Sequence, residues 1–187
     1  MRFTENPIWR KLEIFSIDPP DVSLTFEKRL ARENRWSLEF ASSVILEYKK
    51  FLFLCASQDQ PCTPSDAVDQ AWHLHLAYTR SYWNDLCENV LGKKLHHQPT
   101  EGGRSEKEKF EDYYYNTWIL YKNTFLKDPP ENIWPHPANR FTSEHFERVD
   151  KDSSWPVAEE IRKRKPYQLY ELQRKSDLEK IRELLLR

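Results

Sequence analysis

The chain has 187 residues, with 29 basic and 30 acidic side chains and a net charge of −1. A chain of this length forms about one domain and can bury a core without disulfides or metals. The balanced charge argues against a dedicated nucleic-acid-binding protein, and the three glycines are too few for a dinucleotide-binding fold or a β-sandwich. The composition therefore predicts an all-α protein.

The sequence also predicts where the protein resides. No apolar stretch approaches the ~20 residues of a membrane span, and residues 1–15 lack the apolar region of a signal peptide. Without an export signal, Cys55, Cys62 and Cys87 are expected to be reduced thiols. We therefore expect a cytoplasmic protein that makes no membrane contact.

The elements follow in chain order. Residues 1–22 hold three prolines and no sustained periodicity, so they are predicted to be an irregular lead-in, with a short turn near residues 8–15. Residues 23–141 show apolar positions three and four apart, which predicts a helical core domain built as a compact bundle of about four main helices. The predicted helices are 24–33 after Ser23, 38–57 after Ser37, 64–91 between Thr63 and Gly92, and a last one from Ser105 to Asp128.

The end of the chain is predicted to pack differently. The segment 133–137 contains two prolines and is expected to lie extended against the helices through Trp134. Residues 142–187 are predicted to form a charged extension, and residues 161–187 carry a net charge of +5 against −6 for the remainder. A capping pattern at Ser176 precedes an amphipathic basic helix over residues 176–187. This helix either docks on the acidic body or binds another protein.

Four of the six histidines fall between residues 73 and 97. On a regular helix, His73 and His75 point about 200° apart, so they belong to different faces. Asp69 lies four residues before His73, on the same face, where a carboxylate and an imidazole can share a metal. The loop after Gly92 can fold back along this helix and bring His96 or His97 to it.

These residues predict a metal site. Asp69, His73 and His97 are the first choice of ligands, with His75 and His96 as alternates, and two imidazoles with one carboxylate suit zinc or iron. Cys87 lies too far along the helix from His75 to share an ion. No sequence motif of a known catalytic site is present, so the reaction, if the protein is an enzyme, is left open.

Two alternatives remain open beside the metal site. The histidines can be structural, bonded to carbonyls and hydroxyls, or they can form a metal-free acid–base site. In the structural case the protein is an interaction module that binds a partner through residues 176–187. Nucleic acid is an unexpected partner, because Tyr114, Trp118 and Tyr121 lie at the helical spacing expected for packing against other helices. The acidic body would also repel phosphates.

Three segments resemble the core of the glycine-rich domain-containing-protein-like family: VDQAWHLH at 68–75, LHHQPT at 95–100 and IWP at 133–135. The resemblance covers about residues 24–141. It implies that the family's motif positions here are Asp69, Trp72, His73, His75, Thr79, Tyr82, Cys87, His96, His97 and Pro99. A charged tail stands where the family has its glycine-rich segment, so the resemblance concerns the core domain and names no reaction.

Overall fold

The computed structural model describes residues 2–98 and 104–140, and in this part of the chain all regular structure is helical, as predicted. None of the helices in the described ranges is long and apolar enough to cross a membrane. The elements are a 3₁₀ turn at Phe3–Glu5, α1 at Pro7–Ile14, α2 at Phe26–Asn34, α3 at Leu38–Ser57, α4 at Asp66–Ala77, a π helix at Ser81–Leu91, α5 at Arg104–Phe125 and α6 at Pro137–Arg140.

Helix α3 is the centre of the fold, and α1, α2, α4 and α5 all contact it. It begins where predicted, because the Ser37 hydroxyl accepts a hydrogen bond from the Phe40 amide. Near its end, residues 51–55 are five consecutive buried positions. A helix buried on every side in this way must be enclosed by other helices, which accounts for the bundle.

The N-terminal segment differs from its prediction, because residues 7–14 form an α helix and not an irregular lead-in. Asn6 caps it by accepting a hydrogen bond from the Ile8 amide, and Pro7 occupies the first helical position. Trp9 and Leu12 point into the core, where the Trp9 ring meets the ring of Phe53. An eight-residue helix is too short to show periodicity, and its cap and proline were the available signs.

Helix α2 begins two residues later than predicted. Thr25, and not Ser23, caps it through the Lys28 amide, and the Asp18 carboxylate accepts a second hydrogen bond from the Phe26 amide at 2.8 Å. The helix buries Phe26 and Leu30 against α3 and α4. Asp18 lies outside the helix, so the lead-in also fixes where α2 starts.

The predicted helix 64–91 is two helices with a break between them. Helix α4 is capped by Ser65 and ends at Ala77, and Tyr78 leaves the helical conformation with φ −88° and ψ 60°. The predicted cap Thr63 is instead held in the preceding loop, because its amide donates to the Thr117 hydroxyl at 2.9 Å. The π helix then ends at Gly92, whose φ of +70° confirms the predicted stop.

Trp134 packs against the helices as predicted and is 1% exposed, but the segment after α5 is not extended. Residues 131–134 form a turn in which the Ile133 and Trp134 amides donate to the Pro130 carbonyl, and Pro137 begins α6. The Trp134 indole N–H donates to a Glu47 carboxylate oxygen at 3.1 Å, and the Tyr114 hydroxyl donates to the Pro135 carbonyl at 2.7 Å. These two bonds hold residues 133–135 against α3 and α5. The extension 142–187, with its basic helix, lies outside the described residues, so its helix and the domain boundaries stay predictions.

Candidate metal centre

Asp69, His73 and His97 form one cluster. The His97 Nε2 atom lies 2.8 Å from Asp69 Oδ1, and the His73 Nε2 atom lies 3.6 Å from Asp69 Oδ2. The two imidazole rings are 4.5 Å apart between centroids. Each residue has a potential metal-ligand atom within 4.8 Å of those of the other two. The carboxylate thus lies between two imidazoles, one from its own helix and one from a distant loop.

Helix α4 provides two of the three side chains. Asp69 lies in its first turn, where a carboxylate is stabilised by the positive end of the helix dipole. His73 follows four residues later, one helical turn away on the same face. The His73 side chain is 50% exposed and that of Asp69 27%, so this face of α4 is open to solvent.

A chain of hydrogen bonds holds the loop that carries His97. The Trp72 indole N–H donates to the Tyr82 hydroxyl at 2.8 Å, and the Tyr82 hydroxyl donates to the Leu95 carbonyl at 2.5 Å. Tyr82 is fully buried. The His97 ring then packs edge-on against the Trp72 ring, with 4.4 Å between centroids. The loop is therefore fastened to α4 and to the π helix two residues before His97.

The cluster is close to the size that a metal ion requires. Bonds of about 2.0–2.1 Å to a tetrahedral zinc ion place neighbouring ligand atoms about 3.3 Å apart. The ligand atoms lie within 4.8 Å of one another, so shifts of about 1.5 Å or less would close the site. His73 is half exposed and can make such a shift by rotating its side chain.

His75 lies on the other side of α4, away from this cluster. Its Nδ1 atom is 3.0 Å from the Tyr48 hydroxyl, and its Nε2 atom is 3.2 Å from the Ser81 hydroxyl. Burial lowers the pKa of His75 to about 3 and raises the pKa of Tyr48 well above its usual value. With both ring nitrogens bonded inside the core, His75 has no atom left for an ion in this arrangement.

His96 and Cys87 are also separate from the cluster. The His96 ring packs against Trp83, 5.4 Å between centroids, at a surface groove that Lys93 and Lys94 also line. Cys87 is 1% exposed, and burial raises the pKa of its thiol. The structure thus brings Asp69, His73 and His97 together and places the alternates, His75 and His96, elsewhere.

Sequence reasoning missed a buried polar network inside the helical bundle. Lys50 and Glu47 form an ion pair at 2.5 Å inside the bundle, and the Lys50 ammonium also donates to the Tyr121 hydroxyl at 3.0 Å. Burial lowers the pKa of Lys50. Trp134 completes the network through the other Glu47 oxygen. The three-residue spacing of Glu47 and Lys50 was visible, but it does not distinguish a buried pair from an exposed one.

Comparison with known proteins identifies relatives of this chain. Two plant proteins of Arabidopsis thaliana are similar to it: glycine-rich domain-containing protein 2, 31% identical over 91 residues, and glycine-rich domain-containing protein 1, 29% identical over 105 residues. These matches cover 46% and 54% of this chain. The chain spans only 11% and 13% of the length of these relatives.

No solved structure matches the chain. Residues 21–152 match the UCP032817-like family. This match includes α2 to α6 and all three residues of the Asp69–His73–His97 cluster. Because it covers more than half of the sequence, the protein belongs to the UCP032817-like family.

Proposed function

We propose that the protein is a metal-binding helical domain, with Asp69, His73 and His97 as the ligands of a divalent cation. The convergence of these three side chains, two from α4 and one from a loop 28 residues after Asp69, supports the proposal. Helical spacing alone accounts for the pair on α4. It does not account for a second imidazole brought to the same carboxylate.

The ligand set favours zinc and accommodates iron(II). Imidazole nitrogens with one carboxylate oxygen suit both ions, and a three-residue set leaves coordination positions for water or another molecule. A site with open positions is typical of ions that bind or activate a small molecule. The partial exposure of Asp69 and His73 gives such a molecule access.

The environment of Asp69 also supports a bound cation. The carboxylate faces two imidazoles whose neutral forms are the metal-binding forms. The positive end of α4 favours the ionised carboxylate, which is the form that binds a metal. Trp72 restricts the His97 ring through its edge-on contact, which limits the reorganisation that metal binding would require.

Zinc binding by tag-free protein tests the proposal directly. After treatment with a chelator and its removal, titration with zinc against a chromophoric competitor measures stoichiometry and affinity. We expect one ion per chain. The His97→Ala variant is expected to bind at least about tenfold more weakly, because it loses one of three ligands.

His96→Ala is the matched control, since it changes the adjacent residue of the same loop outside the cluster. It is expected to retain wild-type affinity. Equal affinities of H97A and H96A would contradict the proposed ligand set. If the wild type takes up neither zinc nor iron(II), the proposal is wrong and the metal-free Asp69–His97 pair is the surviving interpretation.

A further inference from the structure

A surface groove lies between one face of the π helix and the loop that follows it. Its volume is about 730 Å³, which is within the usual range for sites that hold small molecules. Hydrogen bonds in a π helix join residues five apart, so Trp83 and Glu88 lie on the same face, with Asn84 next to Trp83. Gly92 ends the helix with a φ of +70°, and the space beside its Cα atom is open. The loop from Gly92 to His96 completes the lining.

Two rings give the groove an aromatic wall. The Trp83 and His96 rings are 5.4 Å apart between centroids and inclined at 50°, so they do not stack flat on each other. Trp83 is partly exposed, and the fully buried Tyr82 ring meets it edge-on at 4.9 Å between centroids. An indole that is held in this way and open to solvent can stack on a planar ring of a ligand.

Two consecutive lysines supply positive charge to the groove. Lys93 is anchored, because its ammonium donates to the Gln58 carbonyl at 3.0 Å. This bond uses one of the three N–H groups that an ammonium has. Lys94 is exposed. Among the described residues that line the groove, Glu88 is the acidic one, so the two lysines leave the lining positive and favour an anionic ligand.

Glu88 and Asn84 restrict which anion fits. A carboxylate only accepts hydrogen bonds, so Glu88 disfavours a bare anion and favours a ligand that also has hydroxyl or amine donors. The Asn84 amide both donates and accepts, which suits the polar edge of a ring. Both side chains are exposed on the face of the π helix that lines the groove. The lining is therefore suited to one molecule with a planar ring, hydroxyl groups and an anionic group.

We propose that this groove binds a nucleoside monophosphate. The base lies against Trp83, the ribose hydroxyls donate to Glu88, and the phosphate lies at Lys93 and Lys94. A nucleic-acid strand fits less well, because residues 1–160 carry a net charge of −6 and would repel the phosphates beyond the groove. The site is separate from the Asp69–His73–His97 cluster, which is built on α4.

Isothermal titration calorimetry with the full chain tests the proposal. A chelator first removes any metal, so that a bound ion cannot hold the phosphate. AMP, GMP, CMP and UMP are titrated in turn, beside the matching nucleosides, which lack the phosphate, and inorganic phosphate, which lacks the ring. We expect at least one nucleotide to bind with a Kd below about 1 mM. It should bind about tenfold more tightly than its nucleoside and than inorganic phosphate, because it uses both the aromatic wall and the lysines.

Two variants test whether the nucleotide lies in the groove. Lys94→Gln should weaken its binding about fivefold and reduce the salt dependence, because one positive charge beside the phosphate is lost. Lys28→Gln, an equal change of charge in the first turn of α2, is the matched control and should bind as the wild type does. Trp83→Leu should weaken binding about tenfold. The NMR signal of the Trp83 indole N–H, identified by its absence in W83L, should shift when the wild type is titrated.

Three results would overturn the proposal: no nucleotide binds in the stated range, inorganic phosphate or the nucleoside binds as tightly as the nucleotide, or K94Q and K28Q bind equally well. A short single-stranded RNA that binds more tightly than every mononucleotide would assign the groove to nucleic acid instead. The nucleotide titration uses metal-free protein and the zinc titration uses no nucleotide, so either proposal can fail without the other.

Discussion

His75 is a fully buried imidazole at the junction of α3, α4 and the π helix. Tyr48 and Ser81 occupy its two nitrogens, and the rings of Phe15, Phe26 and Tyr82 surround it. A neutral imidazole has one donor and one acceptor, and both are used here. The residue therefore joins three elements through a side chain that must stay uncharged.

The free energy of unfolding is expected to fall as the pH drops below the pKa that the His75 imidazole has in the unfolded chain. The folded pKa of His75 is about 3, below the unfolded value of about 6.5. Between these pH values His75 is protonated in the unfolded chain and neutral in the folded protein. Its contribution to the free energy of unfolding is therefore complete above about pH 6.5 and is lost towards pH 3. Between pH 7 and pH 5 this one group lowers the free energy of unfolding by about 2 kcal/mol.

Urea unfolding of the metal-free protein at pH 7 and pH 5, beside that of His75→Gln, measures this contribution. The variant is expected to start less stable, because it loses one of the two bonds, and to show the smaller pH dependence. An equal loss of stability in wild type and variant would show that other groups cause the acid sensitivity.

The two faces of α4 show what a single sequence can predict at the level of residues. The spacing of Asp69, His73 and His75 separated the histidines correctly, because that separation depends on helical geometry alone. The partner of His75 is Tyr48, 27 residues earlier. A structural role for a histidine was one of the open alternatives, but no local pattern specifies which residues of two packed helices meet, so Tyr48 could not be predicted as its partner.

Tyr82 connects two elements and a loop through one hydroxyl group. It accepts from Trp72 on α4 and donates to Leu95 in the loop that carries His97. Burial raises the pKa of this hydroxyl, so it remains a donor at neutral pH. Tyr82 acts as a positioning residue for His97, since it does not itself contribute a ligand atom to the cluster.

Tyr82→Phe is expected to weaken zinc binding and stability together. It leaves the buried Trp72 N–H and the Leu95 carbonyl without this partner, which costs about 1–3 kcal/mol of unfolding free energy. Since residues that orient a metal ligand typically contribute 10- to 100-fold in affinity, we expect zinc affinity to fall about tenfold. Tyr115→Phe, at a side chain that is 52% exposed, is the control and should change neither quantity.

Competition titration with zinc and urea unfolding give the two readouts. A folded Y82F protein that binds zinc as tightly as the wild type would show that His97 is held by other contacts. Wild-type stability in Y82F would contradict the hydrogen-bond chain itself.

At the level of elements, the long helices were predictable and the breaks were not. Helix α3 has Ser37 before it and a wide apolar face, and both its ends match the prediction. The break at Tyr78 depends on tertiary contacts: its hydroxyl accepts from Arg29 of α2, and its ring packs against Phe26. The apolar pattern of the sequence continues without interruption across residue 78, so it does not indicate those contacts.

The whole molecule is organised around α3, which is apolar on most of its surface and ionic at one point. Glu47 and Lys50 pair inside the bundle and bind Tyr121 of α5 and Trp134 beyond it. A buried pair contributes little net stability, but the removal of one partner is costly. This network therefore specifies which faces of α5 and of the following segment meet α3.

The N-terminal helix belongs to the same core, so Trp9→Ala is expected to destabilise the whole domain. Trp9 is 5% exposed and contacts the rings of Phe53 and Phe125. Truncation of a buried aromatic side chain costs about 3–5 kcal/mol. Ile14→Ala, in the same helix at a side chain that is 84% exposed, should cost less than about 0.5 kcal/mol.

Urea unfolding followed by tryptophan fluorescence and by far-ultraviolet circular dichroism measures both variants. Equal stabilities of W9A and I14A would mean that α1 does not contribute to the cooperative core. A single coincident transition for the wild type is expected from the contacts of α1 with α3.

The all-α class and the central apolar helix could be predicted for the whole molecule because composition and periodicity report them directly. The position of α1 could not, since Trp9 meets α3 residues more than forty positions away. The Asp69–His73–His97 cluster was predicted from its residue types and from a loop able to fold back, but the contacts of Tyr82 that hold this loop against α4 could not be predicted.

The π helix has one more consequence, for how chains of this family are aligned with one another. Its hydrogen bonds join residues five apart, and such helices behave as α helices that hold an additional residue. The number of residues between Tyr82 and Leu91 therefore sets the direction in which the chain departs towards His97. A relative that has one residue fewer in this stretch would keep the counterparts of His73 and His97 in its sequence. The counterpart of His97 would nevertheless face a different part of the surface.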